Sequence, residues 1–461
     1  MIFLPFSFIF PRAGDFFNLN TGGCAMSAVH DIIGKRAFEL LAPEEQLFWK
    51  GEQNNLPGYC DLPDLHLASQ WDGSGKEKWY AQYGVMPNGR CTPHGPVDKN
   101  WSGMALGADP DASKSLYTLR YYMKKITALI RQKNAVESAR FAGTLAHFIQ
   151  DCCTPGHIIN NLKLNHLFPP QAGKLIPLHS TIDFYPFEPE LVRSEPEILG
   201  KSVEEAAFLL NETLLRNAEI MTGEIVPLAQ AIQDNNTPRI QKIMQKWNGI
   251  SVHLTASLWH TLFAIANCLI PETAQQQFNE LDLTTLSMIA GCDKRFDRSQ
   301  FIRSGIPFYE CIYPECDPFR SRLSTDRIPF EPAVNTSYDG NGNAVPLELL
   351  KGGQPFRGNG HGIAAGSYGV ASFRVPGKLY SGFEVHAGVH YRSESDAKVT
   401  FGIWCPEYKP CLLAQGIVSK KEEALHFKVT LPEECQTLIL LSAGGNSKLS
   451  VVWLDPLLRS R

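Results

Sequence analysis

The sequence carries no excess of basic charge. Lysine and arginine number 43 against 47 aspartates and glutamates, and the formal net charge is -4 over 461 residues. A protein held mainly by phosphate-backbone attraction would be more basic. A small nucleotide or lipid headgroup remains open as a substrate. No run of about 18 apolar residues occurs, so no membrane-spanning helix is expected. The 12 cysteines contain no CxxC pair, and their scatter fits either export with some disulfides or a reduced compartment. There is no internal repeat and no low-complexity tract. "DGNGN" at 339–343 lacks the glycine and terminal glutamate of an EF-hand loop and reads as a turn. The opening "MIFLPFSFIFPRAG" is apolar but lacks a basic n-region, which makes it a poor secretory signal. Residues 1–26 are read as a leader or a misassigned start, with Met26 as the alternative initiator.

Hydrophobic residues make up 44% and charged residues 20%. That is ordinary for a globular chain, and this length implies two or three domains. Up to about residue 270 the apolar spacing is helical. It is carried by "HDIIGKRAFELLAPEEQLFWKG", "SLYTLRYYMKKITALIRQK", "VEEAAFLLNETLLRNAEIMTGEIVPLAQAI" and "NGISVHLTASLWHTLFAIANCLI",. Residues 51–105 form a Gly/Pro-rich stretch between them, and loops of such length are usually functional.

One short segment concentrates the chemistry. In "HFIQDCCTPGH", His147 and Asp151 are four residues apart and share a helix face,. Pro155 ends the helix, and His157 just beyond it can fold back toward the same place,. Ala139, Ala142, Gly143 and Ala146 leave room for another helix to approach closely. Imidazole and carboxylate suit a borderline metal such as zinc. The alternative is a pair of satisfied core histidines beside a capped carboxylate. "HSTID" repeats the same spacing with His179 and Asp183. His30 opens an amphipathic helix, and Asp61 and His94 lie in the long loop stretch. His253 and His260, seven apart on one helix, read as core or helix-contact residues, and His166 as a surface residue.

These motifs resemble the zinc-dependent phospholipase C and single-strand nuclease superfamily, over about residues 27–270. Its hallmark is a His-xxx-Asp helix followed by a Pro-x-His turn, the spacing of "HFIQDCCTPGH". The resemblance implies two or three zinc ions. It assigns Asp61, His94, His147 and Asp151 to the first and His157, His179 and Asp183 to the second. His30 belongs to a third, with Asp151 bridging and the mature terminal amine completing it. The family normally has a terminal tryptophan there, and none precedes His30. Asp64 and His66 stand as alternatives to Asp61 and His94. "GYCD" and "PHGPVD" favour Asp61 and His94 by their likeness to family segments. The resemblance also implies hydrolysis of a phosphodiester by a zinc-activated water that Asp61 orients or deprotonates. A phospholipid headgroup ester is the expected substrate, and single-stranded nucleic acid is the alternative. Cys60 and Cys91 flank two of these ligands, and a bridge between them is left open, since spacing alone does not show one,.

After about residue 300 the pattern changes. Residues 301–354 are proline-punctuated and read as a linker. From 355 to 461 short alternating runs follow, among them "YGVASFRV", "FEVHAGVHY", "KVTFGIW", "ALHFKVTL", "TLILLSAG" and "LSVVWLDP". That is the pattern of an antiparallel β-sandwich. The stretch resembles the NPCBM carbohydrate-binding modules appended to secreted enzymes, which implies a glycan partner and a secreted, periplasmic or extracellular location. The alternative is a sandwich that only packs on the catalytic domain. Tyr380, Trp404 and Trp453 are its aromatic candidates for either core or sugar contact. The expected architecture is multidomain. An all-α phospholipase C/nuclease-like zinc domain at 27–300 precedes a β-sandwich at 355–461 that should fold alone. A non-catalytic, secreted glycan-binding protein with a structural zinc is the competing functional expectation.

Overall fold

The computed structural model describes residues 28–52, 55–63, 75–84, 114–157, 185–290, 333–338, 343–363, 369–405, 407–444 and 449–461. An all-α region is followed by an antiparallel two-sheet region.

The helical region begins with α1 (Ala28–Glu39) and α2 (Pro43–Phe48). The amphipathic run over 30–51 is thus two helices. Pro43 starts the second, since its fixed φ and missing N–H suit a first turn,. Ala42 N–H donates to Glu45 Oε2 at 2.9 Å across that start. The expected loop stretch holds α3 (Asn55–Gly58) and α4 (Gly75–Trp79), with a π-helical turn at Tyr80–Gly84. Four long helices follow: α5 (Lys114–Arg131), α6 (Ala135–Cys152), α7 (Val203–Gln233) and α8 (Thr237–Asn267). The side chains of Asn134, Ser202 and Asn236 cap α6, α7 and α8, each accepting a backbone N–H three residues on,. Met123 and Ile126 of α5, Phe148 of α6, Phe208 of α7 and Trp259 of α8 are fully buried together. By length and composition α8 could cross a membrane, but 78% of its most apolar window is buried in the protein. That is the signature of a core helix.

After the short helix α9 (Glu272–Gln277) the chain turns to strands. They begin earlier than the boundary expected at residue 300: β1 (Glu280–Asp282) and β2 (Met288–Ala290) already belong to the two sheets. Part of the expected linker is also structured. It contributes β3 (Ala333–Val334), β4 (Ser337–Tyr338), β5 (Ala344–Val345) and β6 (Glu348–Lys351), which forms a hairpin with β7 (Gln354–Arg357). The main strands are β8 (Gly360–Ile363), β9 (Gly369–Arg374), β10 (Tyr380–Val389), β11 (Val399–Trp404), β12 (Leu412–Val418), β13 (Leu425–Thr430), β14 (Thr437–Gly444) and β15 (Val451–Ser460). One sheet runs β13-β10-β15-β8-β3, with β1 also on β15, and the other runs β12-β11-β14-β9-β2. β8 pairs with the first half of β15, at Val451–Leu454, and β1 with the second, at Leu457–Arg459.

Between the sheets lie Phe373, Phe401, Leu440 and Trp453, all nearly inaccessible. This core is continuous with that of the helices. Phe208 of α7 meets Tyr380 of β10 edge-on at 6.0 Å, and Lys201 Nζ donates to Ser460 Oγ at 2.5 Å. Tyr380, Trp404 and Trp453 are buried to within 3% of fully. Of the two roles open to them, they fill the core one and cannot stack on a sugar.

Candidate metal centre

Two glycines bring the site's elements together. At Gly143 of α6 a Cβ would stand 2.2 Å from Leu56 O of α3, and at Gly34 of α1 one would stand 2.9 Å from Pro57 Cα. Only residues without a side chain let α1 and α6 both close on α3 in this way. The consequence is a three-way junction. His30 projects from α1, Cys60 and Asp61 follow α3, and His147, Gln150 and Asp151 come from α6.

His147 Nε2 lies 3.1 Å from Asp151 Oδ2, the i,i+4 contact expected from the helix. On the other oxygen, Asp151 Oδ1 is 3.6 Å from His30 Nε2 and 3.5 Å from His157 Nε2. His157 sits on a 3-10 turn that starts at Pro155. The proline break therefore does fold this imidazole back onto the carboxylate. The His30 and His147 rings are 4.4 Å apart. All four side chains are buried: His147 is 0% exposed, Asp151 1%, His157 7% and His30 8%.

The ligand atoms of His30, His147 and Asp151 lie within 4.8 Å of one another, so this group could hold a metal ion. Bonds of about 2.0–2.2 Å from zinc to nitrogen and oxygen would space neighbouring ligands much as they stand here. Imidazole nitrogens and a shared carboxylate also suit that ion chemically.

Gln150, which the sequence reading passed over, orients the site. Its Oε1 is 2.7 Å from His30 Nδ1, and its Nε2 donates to Cys60 Sγ at 3.7 Å. An imidazole that donates from Nδ1 keeps Nε2 available toward Asp151. Burial pushes the Cys60 thiol well above its ordinary pKa, and its S–H donates to Leu56 O at 3.5 Å. Cys60 is a free thiol. The one signal for Gln150 was its position beside Asp151 on a helix already marked by His147.

Asp61 directly follows Cys60 and is partly exposed at this corner, outside the set that lies within 4.8 Å. His94, His179 and Asp183 lie outside the described residues, as do Asp64, His66, His166 and Cys91. His260 belongs elsewhere, with Nδ1 2.6 Å from Glu45 Oε1, and ties α8 to α2 as a helix contact. His253, also on α8, has its Nε2 3.9 Å from Glu197 in the stretch before α7. A cleft of about 500 Å³ opens between α5 and the turns of the sandwich, lined by Tyr117, Arg120, Tyr121 and Lys378 among others. None of the site histidines lines it.

No protein-family model matches this chain. No curated protein matches it either. Among solved structures, the chain is similar to tandem CBM51 modules of the family 98 glycoside hydrolase Sp3GH98 from Streptococcus pneumoniae. That match has 14% identity and TM-score 0.27, and spans 40% of this chain and 47% of that one. A CBM51 from Clostridium perfringens GH95, in complex with methyl-galactose, matches at 17% identity and TM-score 0.24, over 28% of this chain and 90% of that one. The alpha-toxin of Clostridium perfringens, avian strain SWCP, matches at 8% identity and TM-score 0.32, over 95% of this chain and 98% of that one.

Proposed function

We propose that this protein is a zinc-dependent phosphodiester hydrolase of the phospholipase C type, acting on a phospholipid headgroup. One observation carries the reading: His30, His147 and His157 converge on the two oxygens of a single buried carboxylate, Asp151. The "HFIQDCCTPGH" motif supports it at the level of family resemblance.

His30, His147, His157 and Asp151 are the described residues that would hold metal, with Asp61, His94, His179 and Asp183 as the proposed further ligands. Bound zinc supplies hydroxide near neutral pH and neutralises phosphoryl charge. The chain's own contributions are positional. Asp151 presents one oxygen to His147 and the other to His30 and His157, which fixes the spacing of three imidazoles. Gln150 holds the His30 ring through Nδ1. Asp61, partly exposed where the others are buried, is the proposed carboxylate that orients or deprotonates the attacking water. The sandwich is proposed as a glycan-binding module and the protein as an exported one, both by likeness to modules of secreted enzymes.

The burial of the four side chains favours one second reading, a structural ion in a non-catalytic glycan-binding protein. A single set of measurements separates the readings: metal content, and hydrolysis of phosphatidylcholine and of single-stranded DNA. Zinc together with faster turnover of the phospholipid supports the proposal. Faster turnover of DNA moves the protein to the nuclease branch. Zinc without turnover of either substrate supports the structural reading, and the absence of zinc overturns both.

A further inference from the structure

A second cluster of ligating side chains lies in the sandwich, far along the chain from the histidines. Cys405 follows the last residue of β11, and Cys435 lies two residues before the start of β14. These strands are neighbours, with Trp404 opposite Ile439, so the two cysteines meet at one end of the sheet. Both are buried, Cys405 at 0% and Cys435 at 1% exposure. Their sulfurs and a carboxylate oxygen of Glu407 all lie within 4.8 Å of one another.

The Glu407 carboxylate is held in place there. Its Oε2 accepts backbone N–H bonds from Gln436 at 3.3 Å and Thr437 at 3.2 Å, and the Cys405 thiol at 3.5 Å. Among the described residues no lysine or arginine pairs with it. Cys435 Sγ donates to Thr437 O at 3.6 Å. Two close thiols serve either as a disulfide or as ligands to a shared soft cation. The carboxylate decides between them. Glu407 is more exposed than the two buried cysteines, and the Cys405 thiol already donates to it, so all three ligand atoms converge on one point at the solvent edge, as a cation needs and a disulfide does not. The 3.5 Å from sulfur to oxygen also fits ligands about 2.3 Å and 2.0 Å from one tetrahedral zinc.

The geometry points to a soft divalent metal site of the zinc class, built from Cys405, Glu407 and Cys435, that ties the end of β11 to the start of β14. Binding displaces the two thiol protons to solvent and leaves the ion held by two thiolates and one carboxylate. Water takes the fourth place. The site is independent of the histidine cluster. It also stiffens a wall of the cleft between helices and sandwich, because Cys435 and Gln436 line that cleft.

The test uses the full chain, reduced, stripped with a chelator and titrated with Co²⁺. Cobalt bound by thiolate gives a near-ultraviolet charge-transfer band that imidazole and carboxylate ligands do not. The band is expected in wild type and in His147→Ala, and is expected to vanish in Cys405→Ser and Cys435→Ser. Glu407→Gln keeps both thiols and should bind cobalt about tenfold more weakly. Should the serine variants fail to fold, alkylation mapped by mass spectrometry on wild type decides, with metal expected to protect Cys405 and Cys435 together. A wild-type protein without the band, without protection, or isolated with a Cys405–Cys435 disulfide overturns the assignment.

Discussion

Glu212 of α7 and Arg374 of β9 form a buried ion pair across the boundary between helices and sheets, Nε to Oε1 at 2.8 Å. Both side chains are almost wholly inaccessible. The carboxylate also accepts Ser287 N–H at 3.2 Å and the Asn211 side-chain amide at 3.2 Å. Removing one partner strands the other charge out of water. Arg374→Ala is therefore expected to cost about 3–5 kcal/mol, measured by urea denaturation. An Arg374→Met variant of similar volume should leave the same Glu212 penalty. The double variant Glu212→Leu/Arg374→Met should recover much of the loss. A loss under about 1 kcal/mol in Arg374→Ala, the range of an exposed pair, would show that this pair does not hold the two regions together.

The same boundary revises the expectation that residues 355–461 fold alone. A fragment cut there lacks β1, β2 and β3, which pair with β15, β9 and β8, and it leaves Arg374 without Glu212. It should be largely insoluble when expressed by itself. Soluble fragment with a cooperative thermal transition would contradict this.

Gln150→Leu tests the positioning of His30. The substitution keeps the volume and removes the bond at Nδ1. Metal affinity, read by competition with a chelator, is expected to fall about 10- to 100-fold while the helical circular dichroism is retained. Unchanged affinity would mean that His30 is oriented by something else.

Gly143→Ala tests the junction of α3 and α6. The new Cβ would fall 2.2 Å from a backbone oxygen, so α3 must move. A loss of about 1–3 kcal/mol in stability is expected, seen as a lower melting temperature. Metal affinity should fall with it, since α3 leads into Cys60 and Asp61. Gly51, whose added Cβ meets nothing within 4 Å, is the control.

His361 should make the protein acid-sensitive. It is fully buried on β8 against the Phe373 ring, and neither ring nitrogen finds a hydrogen-bond partner. Burial, then the Arg216 guanidinium, lowers its pKa from 6.5 to about 4. Between those two values the unfolded chain binds the proton more readily than the folded one. Stability is thus full above pH 6.5 and declines as pH falls toward 4, by about 3 kcal/mol in total from this residue. His361→Phe should flatten that part of the denaturation profile. An unchanged slope would assign the acid sensitivity to other groups.

Much of this was legible in residue spacing because it is local. The i,i+4 relation of His147 and Asp151 and the break at Pro155 follow from a few consecutive residues. Strands β9, β10, β11, β13, β14 and β15 each show as an alternating run. What escaped was non-local. β1 and β2 are three residues each, too short to display a period, and they exist only because the partners Leu457–Arg459 and Ser372–Phe373 are present. Gln150 escaped for a related reason. Nothing in an uncharged amide announces that it bridges His30, 120 positions earlier, and Cys60, 90 positions earlier.

The pairing of β15 has a consequence for synthesis. Glu280 of β1 is made 179 positions before Arg459, the residue it meets on β15, and β10 and β8 also wait for that strand as their common neighbour. On the ribosome the sheet can close only after β15 emerges. Until then its partners expose unsatisfied edges that chaperones recognise. A message truncated or a chain clipped just past residue 450 therefore loses the sheet's middle and not its rim. Such a product lacks the strand that β1, β10 and β8 share, and it cannot form this sheet.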